Sequence, residues 1–286
     1  MRTPDYLMAV SVPLIWGFGF VFAKAAVEHF PPILLMAFRF AVTAAVLVWF
    51  VRPPWSLMKH IFWISLVSAA LQYGFTFTGL KHLDTATAVL VVQLEVPFMV
   101  LLGALLLGEK PGVRRYAGIV IAFAGVALIV GEPRLQGSFL WIGMVMLGAF
   151  LWAVGQVMIR KLGEVGGFTL IAWVAVFATP QLFLASFLFE DNQVTLVREA
   201  SWLVWGVVAY LGLVMTALGY TLWYHLLGRF PISRVGPFLL LLPVFSILGS
   251  VLVLGESLTL YIVLGGVVVI AGLALVVIEP AAQADQ

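Results

Sequence analysis

The chain alternates long apolar stretches with short polar connections over its whole length. An α-helix rises about 1.5 Å per residue, so about 20 apolar residues cross a hydrocarbon core about 30 Å thick. Most of the apolar stretches have roughly this length, and the connections are too short to form another domain. The pattern therefore predicts ten membrane-spanning helices over residues 6–27, 32–51, 61–80, 85–107, 116–130, 139–159, 168–189, 202–227, 232–254 and 260–278.

The composition agrees with this pattern and narrows the class of protein. Hydrophobic residues make up 63% of the chain and charged residues 10%, with a mean hydropathy of +1.14. Soluble domains carry about 25% charged residues. We therefore predict an integral membrane protein, with no room for a soluble catalytic or nucleic-acid-binding domain. The absence of cysteine excludes disulfides, thiolate metal sites and a cysteine nucleophile.

Lysine and arginine are distributed unequally between the two sets of connections. If the N-terminus is cytoplasmic, the cytoplasmic side receives ten of these residues and the outer side four. Cytoplasmic loops carry the excess of Lys and Arg in membrane proteins, so both termini are predicted to be cytoplasmic. The acidic residues that fall mostly in the outer connections are interpreted as solvated loop charges; they are Glu28, Asp84, Glu132, Glu190, Asp191 and Glu199.

The predicted helix over residues 85–107 contains one ionisable side chain, Glu95, near its middle. Pro97 follows two residues later, and a proline inside a helix removes a backbone hydrogen bond and bends the helix. The hydrocarbon interior disfavours a charged carboxylate, and ionisable residues inside membrane helices typically mark substrate or proton pathways. We therefore predict that Glu95 titrates or binds a substrate ammonium group. The alternative is a protonated Glu95 that is hydrogen-bonded to Gln72 or Gln93 and only fixes helix packing.

Short sequence matches recur about 146 residues apart. The segment Leu107-Gly108-Glu109 recurs as Leu254-Gly255-Glu256, and Pro97-Phe98 resembles Pro243-Val244-Phe245. We therefore predict two five-helix repeats, residues 1–134 and 135–286. Because five is odd, the second repeat would enter the membrane from the opposite side, which is the inverted-repeat architecture of many carriers.

The first apolar stretch also resembles a cleavable signal peptide. It follows Met1-Arg2 and ends with the small residues Ala23 and Ala25 around a lysine. Trp16-Gly17 within this stretch matches the region of Trp152 in the second repeat, so we interpret the stretch as a permanent helix.

Four features of the repeat carry a resemblance to a known family. Each half has a tryptophan and a glycine in its first helix, a fourth helix with an internal proline, a Leu-Gly-Glu helix end and a glycine-patterned fifth helix. Over essentially its whole length the chain resembles the EamA-repeat family of the drug/metabolite transporter superfamily, and within it the YddG-type amino-acid exporters. The resemblance implies a bacterial inner-membrane exporter whose central cavity is lined mainly by the first, third and fourth helices of each half.

The candidate cavity residues are aromatic or polar side chains that lie deep in the predicted helices. Aromatic rings can contact an apolar side chain or a cation, and side-chain amides can bind the charged ends of a zwitterion. Packing within the helix bundle is the alternative for each of them. The predicted cavity set is Trp16, Gln72, Tyr73, Gln93, Glu95, Trp152, Gln156, Tyr220 and Trp223.

Prolines and small residues are expected to shape the helices. Pro97, Pro237 and Pro243 are predicted helix kinks that also shape the cavity. Glycines in the fifth and tenth helices are expected to allow close helix packing.

Two further groups are expected to be structural. Arg39 lies deeper in its helix than snorkelling requires, and the resemblance implies a structural role for it. Tryptophans near predicted helix ends are expected at the membrane interfaces; they are Trp49, Trp55, Trp63, Trp141, Trp202 and Trp205.

The sequence lacks a nucleophile elbow, a His-Glu-x-x-His motif and a phosphate-binding loop. We therefore predict no catalytic residues, no metal and no cofactor. The prediction is a monomeric ten-helix exporter of amino acids, including aromatic or other apolar ones, and of related small metabolites, by alternating access. A multidrug or sugar exporter of the same superfamily and, in a different class, an intramembrane enzyme are the alternatives. Proton-coupled and facilitated transport both stay open.

Overall fold

The computed structural model describes residues 1–163, 165–230 and 232–278. Over these residues the regular structure is all helical, and ten helices are long and apolar enough to cross a membrane, as predicted. We number these spans 1 to 10 in chain order. They are Thr3–Ala26, Pro32–Phe50, Trp55–His82, Thr85–Leu107, Val113–Val130, Phe139–Leu162, Gly167–Phe189, Trp202–Leu226, Gly236–Leu254 and Leu260–Val277.

The boundaries differ from the predicted ones in a few places. Span 3 begins at Trp55, six residues before the predicted start, and span 5 extends back through Arg114 and Arg115 to Val113. A short helix, Gln193–Glu199, lies in the connection before span 8. Residues 279–286, which include the C-terminus predicted to be cytoplasmic, lie outside the described residues.

Consecutive spans run in alternate directions, so the protein has two faces. We call the face where span 1 begins the N-terminal face, and the face where span 1 ends the far face. Contacts between distant residues agree with this arrangement. At the far face, Nζ of Lys24 at the end of span 1 donates to the carbonyls of Leu80 and Lys81 at the end of span 3, at 3.1 and 2.8 Å.

Spans 5 and 10 pack closely through glycines. A Cβ atom at Gly118 would come within 2.6 Å of the Gly272 carbonyl oxygen, and one at Gly125 within 2.9 Å of the Gly265 carbonyl oxygen. An early residue of one helix contacts a late residue of the other, so the two helices are antiparallel. The contacts are also reciprocal, because Gly118 and Gly125 match Gly265 and Gly272 in the sequence repeat. The expected close packing of these glycines is confirmed.

Spans 3 and 8 share an unusual backbone feature. Each contains a π-helical segment, Leu66–Leu71 in span 3 and Tyr210–Leu218 in span 8. Such segments are uncommon and occur frequently at functional sites. In span 8 the hydroxyl of Thr216 donates to the Leu211 carbonyl at 2.8 Å inside this segment. The two segments occupy matching places in the two halves of the chain.

Span 6 lies directly against span 3 because two glycines leave room for it. A Cβ atom at Gly148 would come within 2.1 Å of Thr76 Oγ1, and one at Gly155 within 2.2 Å of Ser68 Cβ. A side chain at either glycine would push the helices apart. This contact brings Trp152, between the two glycines, close to the middle of span 3.

The interpretation of the far-face acids as solvated charges was wrong for Glu190. Its carboxylate accepts hydrogen bonds from the backbone N–H groups of Ile33 and Leu34, at 2.8 and 2.9 Å. The first turn of a helix has unpaired N–H groups and a partial positive charge, so a carboxylate there stabilises span 2. Burial raises the pKa of Glu190, and the two backbone hydrogen bonds act in the opposite direction.

Glu132 and Asp84 also differ from that interpretation. Glu132 is 3% exposed and pairs with Arg134, which also lies 2.9 Å from an Asp84 carboxylate oxygen. Burial raises the pKa of Asp84, while Arg134 lowers it. The far face is therefore held by partly buried charges that join the ends of different spans.

The tryptophans expected at the membrane interfaces fall into two groups. Trp49, Trp55, Trp63 and Trp202 are each at least 50% exposed, as expected for side chains that face lipid or headgroups. Trp141 and Trp205 are partly buried. Trp141 stacks on His82 with ring centroids 3.7 Å apart, and Trp205 packs on Phe38 at 5.0 Å.

Candidate substrate site

Span 4 is broken in the middle of the protein. One helix covers Thr85–Val92, Gln93 and Leu94 form a turn, and a second helix covers Glu95–Leu107. Pro97 is the cause, because it has no N–H to donate to the carbonyl four residues earlier. That carbonyl, of Gln93, accepts instead from the Val96 N–H at 3.3 Å, in a tighter turn. Span 4 is therefore interrupted just before Pro97.

Span 9 has the corresponding break. A 3₁₀ segment, Gly236–Leu240, precedes the helix Leu241–Gly249. Pro243 is the third residue of that helix, as Pro97 is of the helix Glu95–Leu107. Pro237 lies at the start of the 3₁₀ segment, where its fixed backbone angle fits the first turn. All three prolines therefore lie at or next to departures from regular α-helix, and their role in shaping the cavity stays a prediction.

Glu95 is the first residue of the second helix of span 4 and is partly buried. No hydrogen bond or ion pair joins its side chain to another of the described residues. The alternative that Glu95 is fixed by a hydrogen bond to Gln72 or Gln93 is therefore not what the structure shows. Glu95 therefore keeps its hydrogen-bonding capacity free at the break of span 4.

Trp16 of span 1 is held against span 8. Its indole Nε1–H donates to the Met215 carbonyl at 3.0 Å, in the π-helical segment. Its ring lies 5.1 Å from the ring of Tyr220 and 6.2 Å from that of Trp223, centroid to centroid. A Cβ atom at position 219 would come within 2.5 Å of the indole nitrogen, so Gly219 makes this approach possible. Trp16, Tyr220 and Trp223 form one aromatic cluster.

A cavity lies next to this cluster, between spans 2, 3, 6, 7 and 8. Tyr73, Trp152, Gln156 and Tyr220 are its lining residues from the predicted set. The wall includes Leu170, near the beginning of span 7, and Ile159, near the end of span 6. Span 6 ends and span 7 begins at the N-terminal face, so the cavity is closer to that face. The structure therefore brings four of the nine predicted residues to one cavity, with three aromatic rings and one amide among them.

The lining also differs from what the family resemblance implied. Spans 2 and 7 form part of the wall, through Phe40 and through Leu170, Ile171 and Val174. None of the described lining residues belongs to span 1, 4 or 9. Tyr224 was also missed, although it follows Tyr220 by four residues and so had to lie on the same face of the helix.

Trp16 and Trp152 match in the sequence repeat but differ in the structure. Gly219, which gives Trp16 its place on span 8, corresponds to Gly74 in span 3. No atom lies within 4 Å of a Cβ built at Gly74, so Trp152 does not dock there. Trp152 instead lines the cavity. Of the two tryptophans, only Trp152 is placed to contact a molecule in the cavity.

The cavity is small in this conformation. About 40 Å³ is open to the centres of water-sized molecules, which is room for a few waters and not for an amino acid. On the side of the N-terminal face, the ring of Tyr224 covers Gly167, where a Cβ atom would come within 2.6 Å of ring carbons. An amino acid therefore fits this cavity only in a conformation in which the cavity is wider.

The other residues of the predicted set lie outside this cavity. Gln72 is 4% exposed and donates to Thr76 Oγ1 at 3.2 Å, while its side-chain oxygen has no partner among the described residues. Gln93 is 9% exposed and lies in the turn that breaks span 4. Trp223 packs with span 1 residues that include Ala9 and Val12. Their role as cavity residues stays a prediction.

Arg39 is buried next to the cavity wall, with 1% of its surface exposed. Its Nε–H donates to Thr216 Oγ1 at 2.8 Å, and an Nη2–H donates to the Tyr73 hydroxyl at 3.3 Å. The guanidinium carbon lies 4.6 Å from the centroid of the Tyr73 ring. Arg39 therefore joins spans 2, 3 and 8 beside the cavity.

A ten-span helical bundle with two broken helices and a cavity lined by aromatic side chains is typical of a multi-pass membrane transporter. Comparison with known proteins agrees with this class. Residues 3–131 and 139–278 each match the EamA-like transporter family, and the chain belongs to this family, within the drug/metabolite transporter superfamily.

Two relatives are similar along nearly their whole length. A protein of Salmonella typhimurium is 31% identical over 285 residues, which cover 96% of this chain and 94% of the relative. A protein of Escherichia coli is 30% identical over 284 residues, with the same coverage. Each is named "Probable amino-acid metabolite efflux pump". One crystal structure matches with a TM-score of 0.66 at 21% identity, covering 96% of both chains, and this likeness shows the fold alone.

Proposed function

We propose that the protein exports amino acids across a bacterial inner membrane by alternating access, and that its substrates include amino acids with aromatic or other apolar side chains. The observation that carries the proposal is the cavity lined by Tyr73, Trp152, Tyr220 and Gln156. Aromatic rings offer a surface for an apolar side chain or for an ammonium group, and the amide and hydroxyl groups offer partners for a zwitterion. The names of the two bacterial relatives support the same substrate class.

We further propose that residues 1–134 and 135–286 are inverted repeats. The reciprocal, antiparallel contacts of Gly118 with Gly272 and of Gly125 with Gly265 support this. A two-fold axis makes residue i contact j and residue j contact i. The equivalent breaks of spans 4 and 9 add support. Two similar halves can adopt two related conformations, each open to one side of the membrane.

The N-terminal face is proposed to be cytoplasmic, because the excess of Lys and Arg lies in the connections assigned to that side. The cavity is closer to this face, and the far face is joined by hydrogen bonds of Glu190 and Glu256 to helix N-termini. This arrangement fits a conformation closed to the outside. One chain contains both halves, so the protein is proposed to work as a monomer without a cofactor.

Counterflow of radiolabelled amino acids in proteoliposomes tests the proposal. Liposomes loaded with one unlabelled amino acid should accumulate label transiently, most strongly with aromatic and other apolar amino acids. Sugars and cationic drugs serve as competing ligands. Accumulation that only a sugar or a drug elicits would favour another exporter of the superfamily. Chemical turnover of a lipid or peptide without flux would favour an intramembrane enzyme.

Substitution of the tryptophans tests the cavity itself. Trp152→Ala should weaken counterflow of large apolar amino acids by about threefold to tenfold more than that of glycine or alanine, because ring contacts contribute about 0.5–1.5 kcal/mol. Trp16→Ala should act in the same direction, through Tyr220. Trp202→Ala is the matched control, since Trp202 is 83% exposed. Equal losses for large and small substrates would assign Trp152 to packing alone.

A further inference from the structure

Arg39 is a cation without an anion in the described part of the protein. Its side chain is 1% exposed, in the middle of span 2. A buried charge inside a membrane protein is costly unless it is paired. The partners of the guanidinium group are the hydroxyls of Thr216 and Tyr73 and, at 4.0 Å, the sulfur of Met36. None of these partners carries a negative charge.

The guanidinium group also has unused hydrogen-bonding capacity. It carries five N–H donors, and the three contacts above engage one on each nitrogen. One N–H on Nη1 and one on Nη2 therefore have no acceptor among the described residues. Two N–H groups, one on each terminal nitrogen, can bind a carboxylate through both of its oxygens.

The guanidinium group lies close to two aromatic rings that line the cavity. Phe40, the next residue in span 2, and Tyr73 both line the cavity. The guanidinium carbon is 4.6 Å from the centroid of the Tyr73 ring and 5.6 Å from that of Phe40. The 3.3 Å hydrogen bond to Tyr73 is the long one of the two bonds to hydroxyl groups. Tyr73 therefore contacts both the guanidinium group and the cavity.

We infer that Arg39 is the anion-binding pole of the substrate site and takes the carboxylate of the transported molecule when the cavity widens. The proposed function as an amino-acid exporter is the basis of this inference. Thr216 holds the Nε side of the guanidinium group from behind, since it accepts from Arg39 and donates to the Leu211 carbonyl. The carboxylate neutralises the buried cation, while the aromatic rings of Trp152 and Tyr220 contact the rest of the substrate. Substrates without a carboxylate should therefore bind weakly.

The test compares each amino acid with its primary amide, which has the same side chain and ammonium group but no carboxylate. Wild-type protein in proteoliposomes should be inhibited in counterflow by the acid roughly 10- to 100-fold more strongly than by the amide, as expected for a charge-assisted pair. Arg39→Gln should bring this acid-to-amide ratio close to one. Arg39→Lys keeps the charge but loses the two terminal nitrogens, so the ratio should fall to an intermediate value.

Thr43→Val is the matched control, because the buried Thr43 hydroxyl joins spans 2 and 8 through the backbone carbonyls of Arg39 and Gly212, at 3.0 and 2.9 Å, and does not contact the guanidinium group. It should keep a ratio close to that of the wild type. If Arg39 only joined spans 2, 3 and 8, all three variants would weaken acid and amide equally. If Arg39→Gln does not fold, as judged by gel filtration and thermal unfolding, the acid-to-amide ratio of Arg39→Lys is the test of the inference.

The outcomes separate this inference from the proposed function. A wild-type protein that transports amino acids without preferring them over their amides would overturn the anion-binding pole alone. The same conclusion follows if Arg39→Lys keeps the wild-type ratio. A wild-type protein that recognises no amino acid overturns both proposals.

Discussion

Spans 4 and 9 follow the same backbone course but differ in the side chains that they present. In both, the helix is interrupted and a proline is the third residue of the helix that resumes. The resumed helix begins with Glu95 in span 4 and with Leu241 in span 9. Span 9 has the interruption without an acidic residue, so the interruption is a feature of the fold and does not depend on Glu95. Glu95 is an addition to one half only.

The two spans also end with the same backbone conformation. Gly108 and Gly255 both adopt the left-handed conformation, with φ of 70° and 68°. The residue after each, Glu109 or Glu256, donates its backbone N–H to a carbonyl six residues earlier, at 3.2 Å in both cases. The N–H of the glycine itself donates to the same carbonyl, and a left-handed glycine is a common end of a helix. This helix end explains why Leu-Gly-Glu recurs in the sequence.

The carboxylates of these two glutamates have different partners. Glu256 accepts from the backbone N–H and hydroxyl of Thr85, both at 2.8 Å, and from the Ala86 N–H at 3.4 Å, so it caps span 4 at the far face. Glu109 pairs with Arg160, whose side chain is 66% exposed, at the N-terminal face. The same motif therefore joins the two halves tightly at one face and loosely at the other. We expect the following changes to test this asymmetry, from the largest effect to the smallest.

Glu95→Gln should have the largest effect on transport. It removes the charge and keeps the size, and we expect transport to fall roughly 10- to 100-fold, the loss expected for a charge-assisted interaction. The pH dependence of transport should also disappear. Initial rates in proteoliposomes with verified insertion, measured over a range of pH, give both quantities. Leu241→Gln is the matched control at the equivalent position and should keep the wild-type pH dependence. Glu95→Gln with unchanged rate and pH profile would make Glu95 a packing residue.

Glu256→Gln should have the largest effect on stability among the changes at the span ends. It weakens the hydrogen bonds to Thr85 and Ala86, and we expect the free energy of unfolding to fall by about 1–2 kcal/mol. Glu109→Gln breaks an exposed ion pair and should cost less than about 0.5 kcal/mol. Unfolding in mixed micelles measures both. Equal losses would mean that the two faces are held equally, against the difference seen here.

Pro97→Ala and Pro243→Ala should have the smallest effect on stability, below about 1 kcal/mol, because each adds one backbone N–H and relaxes one restricted residue. Their effects on transport should differ. Pro97→Ala should slow transport more, since a straighter span 4 reorients Glu95, whereas a straighter span 9 moves only Leu241. The same initial-rate assay measures this. Equal slowing would show that the breaks matter for transport apart from Glu95.

The sequence accounted for the membrane spans and for the helix breaks. Both depend on neighbouring residues in the chain: apolar length decides whether a helix can cross the membrane, and proline removes a hydrogen bond wherever it occurs. Four of the nine predicted site residues line the cavity. Trp16 and Trp152 were indistinguishable in the sequence, and the structure separates them through their neighbours Gly219 and Gly74.

The sequence by itself determined that this is an α-helical membrane protein of ten spans with interruptions near Pro97 and Pro243. Only the tertiary structure decided which faces of the spans meet. It placed spans 2 and 7 in the cavity wall, Arg39 against Tyr73, and Glu256 on Thr85, 171 residues away. The physical reason is that lipid is as apolar as a protein interior. The lipid-facing and buried sides of a span therefore look alike in the sequence, and packing alone distinguishes them.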